Sequence, residues 1–239
     1  LSSSKAQKLV DTPAIDVKAL LEAKNLRKKL PQFFKPGEPL PFLLLADVFD
    51  WIATIKGQNS VDAKRTILTS LFESVLHASP HELVDVYYFC CLRLDSEWLQ
   101  RDLGVGTENL MKAICTASGR TLGNLRADLK KLGDYGSLLE ASKATQKNLT
   151  TFFGASGAQT AKQKRVTFGH VFEVLRTVAE TTGAKSQLDK EALLVNLFRT
   201  LESSEGKYVC RFVTKNFNVG AAEKLFQSAL ARAFCNFFS

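Results

Sequence analysis

The sequence predicts an all-α protein, on three observations. Apolar residues recur every three or four positions along most of the chain. The breaks between these runs carry helix-start residues and glycines. No segment alternates as a half-buried strand would; the best candidate, Tyr87-Tyr88-Phe89-Cys90-Cys91, has flanks that argue for a buried helix.

The elements follow in order. Pro41 to Ile55 places Phe42, Leu45, Ala46, Phe49 and Ile52 at helical spacing. Val61 to His77 does the same with Ile67, Leu68, Leu71, Phe72, Val75 and Leu76. Ser79-Pro80-His81-Glu82 reads as a helix start, with Ser79 as N-cap, Pro80 at the first position and Glu82 three after the cap. A helix over Leu83 to Leu94 follows it. Thr107 is expected to cap a helix running through Cys115. Arg120 to Leu132 and Ser137 to Thr145 are the next two.

The pattern then returns on itself. Ala46–Ile52 resembles Gly169–Leu175, and Ile67–Glu73 resembles Leu193–Thr200. Leu83–Leu92 and Lys207–Thr214 are both apolar and aromatic. Leu103-Gly104-Val105-Gly106 matches Phe217-Asn218-Val219-Gly220, and an apolar helix follows each, Asn109–Cys115 and Lys224–Ala231. The expected organisation is two pseudo-twofold-related halves, about 40–118 and 166–239, with a connector over 119–165. Residues 1–32 form a basic N-terminal linker, with a basic helix over Asp16–Leu30, and 33–239 is the domain.

Composition bounds the function. Apolar residues make up 45% and charged residues 23% of the 239, enough for a core and for a charged surface. No window approaches ~18 uninterrupted apolar residues, so no membrane helix is expected, and the start lacks the apolar stretch of a secretory signal. The chain begins without Met and reads as a piece of a longer one. The five cysteines form no CxxC and read as free thiols in a reducing compartment. His77 and His81 have no third ligand beside them and Pro80 between them, so no metal site is expected. Phosphate-loop, dinucleotide-loop, GxSxG, HExxH and K-x-D-G motifs are all missing, so no catalytic residue is assigned.

The net charge of +8 favours an anionic partner, and its placement is informative. Ala141 to Phe172 contains no acid but holds Lys143, Lys147, Lys162, Lys164 and Arg165. Gly206 to Ala222 is again free of acid and holds Lys207, Arg211 and Lys215. The second run leads into a glycine just ahead of a helix, where unpaired N–H groups and the helix dipole can hold a phosphate. Gly104-Val105-Gly106-Thr107 offers the same arrangement once more. Two such points, one per half, suit backbone recognition of a duplex without reading its sequence. The plainer alternative is that each glycine only terminates a helix or makes a tight turn.

Several motifs in order carry a family resemblance. Leu103-Gly104-Val105-Gly106, Leu110-Met111-Lys112-Ala113 and Thr116–Arg120 resemble the N-terminal DNA-binding domain of ATP-dependent DNA ligases, above all the replicative eukaryotic type. Gly133-Asp134-Tyr135-Gly136 with Glu140–Gln146 is similar to that family's GDxG…S[RK]xxQ stretch. Val166–Phe172 is similar to its LTxxxVF helix start, and Arg211–Glu223 lies where the family has RxxxGKLRIGxAE. The resemblance covers about 33–239. It implies an all-α domain of about a dozen helices that lies across the minor groove and grips nicked duplex DNA through loops and helix ends. It implies a nuclear, monomeric protein. The parent enzyme would use ATP and Mg²⁺ to seal nicks in replication and repair, with no cofactor held by this chain. Carried onto this sequence, the DNA contacts fall near Thr167, Gly169, Thr214, Lys215, Asn216, Asn218 and Gly220, with Lys143 assisting. One departure weakens the loop: GKLRIG reads Lys215-Asn216-Phe217-Asn218-Val219-Gly220 here, so both basic positions have become Asn.

Gln146-Lys147-Asn148-Leu149-Thr150-Thr151-Phe152-Phe153 sits in the basic connector and fits the peptide by which replication proteins bind a PCNA-type sliding clamp. One helical turn would present Leu149, Phe152 and Phe153 as an apolar plug, with Gln146 filling a polar hole. The alternative is a loop anchored on its own domain by the two phenylalanines. Gln32-Phe33-Phe34 is a weaker echo of the same peptide. Against the DNA-binding reading stands a helical-repeat scaffold that binds only proteins.

Overall fold

The computed structural model describes residues 37–152 and 166–238, and of 146–152 the backbone alone. The basic segment over 16–30, Gln32-Phe33-Phe34, Phe153 and the glycine-rich stretch after it lie outside the described residues. The described residues form ten α-helices and no strand. In chain order these are α1 (Phe42–Thr54), α2 (Ser60–Ala78), α3 (Leu83–Cys90), α4 (Thr107–Ser118), α5 (Leu122–Leu132), α6 (Tyr135–Phe152), α7 (Phe168–Glu180), α8 (Ser186–Thr200), α9 (Ser203–Val213) and α10 (Glu223–Phe238).

The apolar stripes read from the sequence become the core. In α1, Phe42, Leu45, Ala46, Phe49 and Ile52 are all fully buried. In α2, Leu68, Leu71, Phe72 and Val75 are as well. The doubtful stretch over 87–91 is the end of α3, and Phe89 there is the hub of an aromatic cluster. Its ring stacks on Phe212 of α9 at 4.8 Å and meets Phe42 at 5.5 Å, Phe168 at 5.8 Å and Phe217 at 5.4 Å. Such pairs contribute beyond the area they bury, about 0.5–1.5 kcal/mol each.

Helix starts differ from expectation in three places. Ser79 does not cap α3; its hydroxyl donates to the Glu38 carbonyl, and Pro80–Glu82 forms a 3-10 turn ahead of Leu83. Glu82 accepts from Leu40 N at 2.7 Å, so its carboxylate ties the chain entering α1. Gly106, not Thr107, is the N-cap of α4. The connector helix also runs further, from Tyr135 to Phe152 rather than Ser137 to Thr145. Asp134 accepts from Ser137 N at 2.9 Å at one end, and no Gly or Pro interrupts the chain before Gly154 at the other.

Packing is reciprocal between the early and late helices. α10 lies along α2, and α4 lies along α8; α9 packs on α1, and α3 on α7. α6 and α9 make the other extensive pair. The entries to α1 and α7 exchange backbone hydrogen bonds, Phe42 N to Val166 O at 3.0 Å and Phe168 N to Leu40 O at 2.7 Å. No helix among the described residues is long and apolar enough to cross a membrane.

Candidate nucleic-acid interface

The loop between α9 and α10 collects five of the expected contact residues, Thr214, Lys215, Asn216, Asn218 and Gly220. Thr214 closes α9, its hydroxyl donating to Cys210 O at 3.1 Å. Lys215, Asn218 and Gly220 all take left-handed backbone, at φ 53°, 54° and 61°. That bends the chain sharply and leaves all three, with Asn216, exposed. Asn216 Oδ1 accepts from Asn218 N at 3.2 Å, a local turn of the kind asparagine favours.

The loop is held from beneath. Phe217 is buried against Phe49 and Phe89. Arg211 donates through Nη1 to Phe217 O at 3.2 Å. Its Nε and Nη2 reach Asp134 Oδ2 at 3.0 and 2.8 Å, which ties the loop to the Gly133-Asp134-Tyr135-Gly136 motif. Burial alone would raise the Asp134 pKa. The hydrogen bonds from Arg211 and Ser137 outweigh it and hold the carboxyl below its ordinary value. Gly136 is needed there, since a Cβ would stand 2.6 Å from the Lys207 carbonyl.

Two lysines that the sequence did not single out complete the arrangement. Lys64 of α2 donates through Nζ to Val219 O at 2.8 Å and Gly220 O at 3.1 Å. Lys190 of α8 donates through Nζ to Leu103 O at 2.6 Å, in the loop ahead of α4. Each is only 7% exposed. Gly104 and Gly220 share the same backbone, φ 60° and 61°. A Cβ at Gly104 would come within 2.9 Å of Lys190 Nζ, and one at Gly220 within 2.8 Å of Lys64 Nζ. Gly104 and Gly220 thus each face a buried lysine with the same backbone conformation. Nothing in the sequence separates these lysines from solvent-facing ones, because their acceptors lie on distant segments.

The other expected residues sit apart from this loop. Thr167 is the N-cap of α7, its hydroxyl accepting from His170 N at 3.3 Å. Gly169 lies against Glu82, where a Cβ would be 2.9 Å from Oε1. Lys143 donates to Leu201 O at the end of α8. Lys215 faces Asp102 across 3.2 Å, with both side chains more than half exposed. Gln146, Leu149 and Phe152 lie on the last turns of α6, and Phe153 is outside the described residues.

Among the described residues no group of three or more His, Cys, Asp or Glu could hold a metal ion. His77 packs against Phe237, ring centroids 4.6 Å apart and the planes tilted by 46°.

Residues 41–231 match the family described as DNA ligase N terminus. The chain is 26% identical over 200 residues to "DNA ligase 1" of Dictyostelium discoideum, covering 84% of this chain and 16% of that protein. It is 30% identical over 200 residues to "DNA ligase 1" of Drosophila melanogaster, covering 83% and 24% respectively. It is 34% identical over 178 residues to the "DNA ligase" of Pyrobaculum arsenaticum, covering 74% and 28%. The chain thus spans less than a third of the length of these relatives.

Proposed function

The chain belongs to the DNA ligase N-terminal family, and from that premise we propose that it is the non-catalytic DNA-binding domain of an ATP-dependent DNA ligase. It would hold nicked duplex DNA by the phosphate backbone and minor groove, without regard to sequence, while the rest of the enzyme seals the break in replication and repair. The observation that carries the reading is the family match across 41–231. The exposed, left-handed loop at 215–220 supports it, because phosphate contacts need accessible N–H groups and charge and no base-reading side chain.

In this reading Lys215 supplies the loop's charge, and Thr214, Asn216 and Asn218 supply hydrogen bonds to phosphate or minor-groove edges. Gly220 and Gly169 let the backbone approach closely, and Thr167 and Lys143 flank the track. The reciprocal packing of α10 on α2 and α4 on α8 supports two pseudo-twofold-related halves, each offering one glycine loop to the DNA. ATP and Mg²⁺ would belong to the catalytic part of the parent enzyme, where the K-x-D-G lysine that this sequence lacks would lie. The protein would act in the nucleus, as a monomer.

Residues 146–153 would engage a PCNA-type sliding clamp. The helical backbone through Phe152 supports this, since Gln146, Leu149 and Phe152 are successive neighbours on a helix surface.

A competition experiment tests the function. Nicked duplexes of unrelated sequence, labelled for fluorescence anisotropy, should bind with the same affinity. A protein-only scaffold predicts no binding to either. Adding PCNA should raise the anisotropy further, and Phe152→Ala/Phe153→Ala should abolish only that second rise. A second rise that survives the double substitution would remove the clamp peptide.

A further inference from the structure

Lys64 and Lys190 are buried ammonium groups whose hydrogen bonds go to backbone carbonyls, not to carboxylates. A buried charge of this kind is costly unless acceptors replace its water. That is an expensive way to hold a loop, and it occurs twice, at matching places. Each lysine lies in the second helix of its own half and reaches the loop ahead of the last helix of the other half.

The peptide bond is planar and trans, so a carbonyl and the N–H of the next residue point in opposite directions. When Lys64 draws the carbonyls of Val219 and Gly220 inward, the N–H groups of Gly220 and Ala221 turn outward. When Lys190 draws in the carbonyl of Leu103, the N–H of Gly104 turns outward. None of these three N–H groups has an acceptor among the described residues. Consecutive outward N–H groups at a left-handed residue form a concavity suited to an anion. The ammonium beneath it adds positive potential without touching the surface.

We propose that Lys64 and Lys190 are positioning residues for duplex binding, each fixed in one half and setting the outward N–H groups of the other half's glycine loop. The proposal deepens the DNA-binding reading and rests on it. The halves are thereby coupled, so neither loop keeps its phosphate-ready shape without a helix from the opposite half.

The test uses the 239-residue chain with Lys64→Met and Lys190→Met, which keep the apolar stem and remove the ammonium. Loop conformation is followed by the NMR chemical shifts of the loop amides, and nicked-duplex affinity is measured across a salt series. Lys64→Met should shift the amides of 218–222 and leave 103–106 unchanged; Lys190→Met should do the reverse. Each should weaken DNA binding about tenfold, the cost of ordering one or two backbone residues on binding. The salt slope should stay as in the unaltered chain, since no phosphate contact is lost. Unshifted amides in both loops would overturn the proposal. So would a slope smaller by about 0.9, which would make the lysine a direct phosphate ligand. If circular dichroism shows that a Met variant does not fold, Lys64→Gln and Lys190→Gln replace it, since they too remove the ammonium and are shorter. They should give the same crossed pattern, and unshifted loops in both would again overturn it. If the unaltered chain binds no duplex, the DNA-binding reading fails, while the crossed shifts still decide what the lysines do to the loops.

Discussion

At the scale of single residues, Lys215 is the one direct charge that the loop offers. It shares its position with Asp102 at 3.2 Å, an exposed pair worth no more than about 1 kcal/mol. A phosphate can therefore displace the carboxylate cheaply. Lys215→Ala should weaken binding to all duplex sequences alike and reduce the salt slope by about 0.9. Asp102→Asn should do the opposite to affinity, strengthening it a few-fold, because the competing carboxylate is gone. Equal affinities for Asp102→Asn and the unaltered chain would show that Lys215 does not meet DNA. The exposure of Lys215, Asn216 and Asn218 was legible in the sequence because an acid-free run ahead of a glycine marks an exposed turn. Lys64 and Lys190 were not. A lysine in the early turns of a polar helix reads alike whether its ammonium meets water or a buried carbonyl, and only the tertiary contact distinguishes the two.

At the scale of elements, α9 carries a titration of its own. Glu202 and Glu205 form a capping box, Glu205 accepting from Glu202 N at 2.6 Å. Burial pushes the Glu205 pKa up to about 7. A carboxyl whose folded pKa is raised binds its proton more tightly in the folded state. Its contribution is full below the unfolded pKa and is lost as pH rises from about 4.5 through about 7, on the order of 3 kcal/mol. Glu205→Gln keeps an acceptor for Glu202 N and removes the titration. Denaturant unfolding between pH 5 and pH 8 should show the chain losing stability and the variant losing less. Parallel pH profiles would refute this assignment. The helices themselves were readable from apolar spacing, α1 and α2 almost to the residue. Their ends were less so: Ser79 and Glu82 spend their side chains on the segment entering α1, and a long-range partner of that kind leaves no local signature. The connector helix was expected to end at Thr145, ahead of the 146–153 peptide. Nothing in it breaks a helix, and the backbone continues α6.

At the scale of the whole molecule, the early and late helices share one core. Phe89 of α3 touches rings from α1, α7, α9 and the 217 loop, so removing it loosens both halves at once. Phe89→Ala should cost about 3–5 kcal/mol. Unfolding should remain a single cooperative transition, and two separated transitions would contradict a shared core. The repeat in the sequence pointed to two halves. It could not show that their helices exchange places, α10 lying on α2 and α4 on α8, because similarity along a chain carries no information about which copies touch. That exchange brings Lys64 to the carbonyls of Val219 and Gly220, and Lys190 to the carbonyl of Leu103. The measurement that bears most directly on the account is the affinity of this chain for a nicked duplex across a salt series. If about four basic contacts are made, log K against log salt should fall with a slope of about −3.6, at roughly 0.9 per phosphate, whatever the base sequence. No binding at low salt, or binding that salt leaves unchanged, would contradict a domain that grips DNA by its backbone.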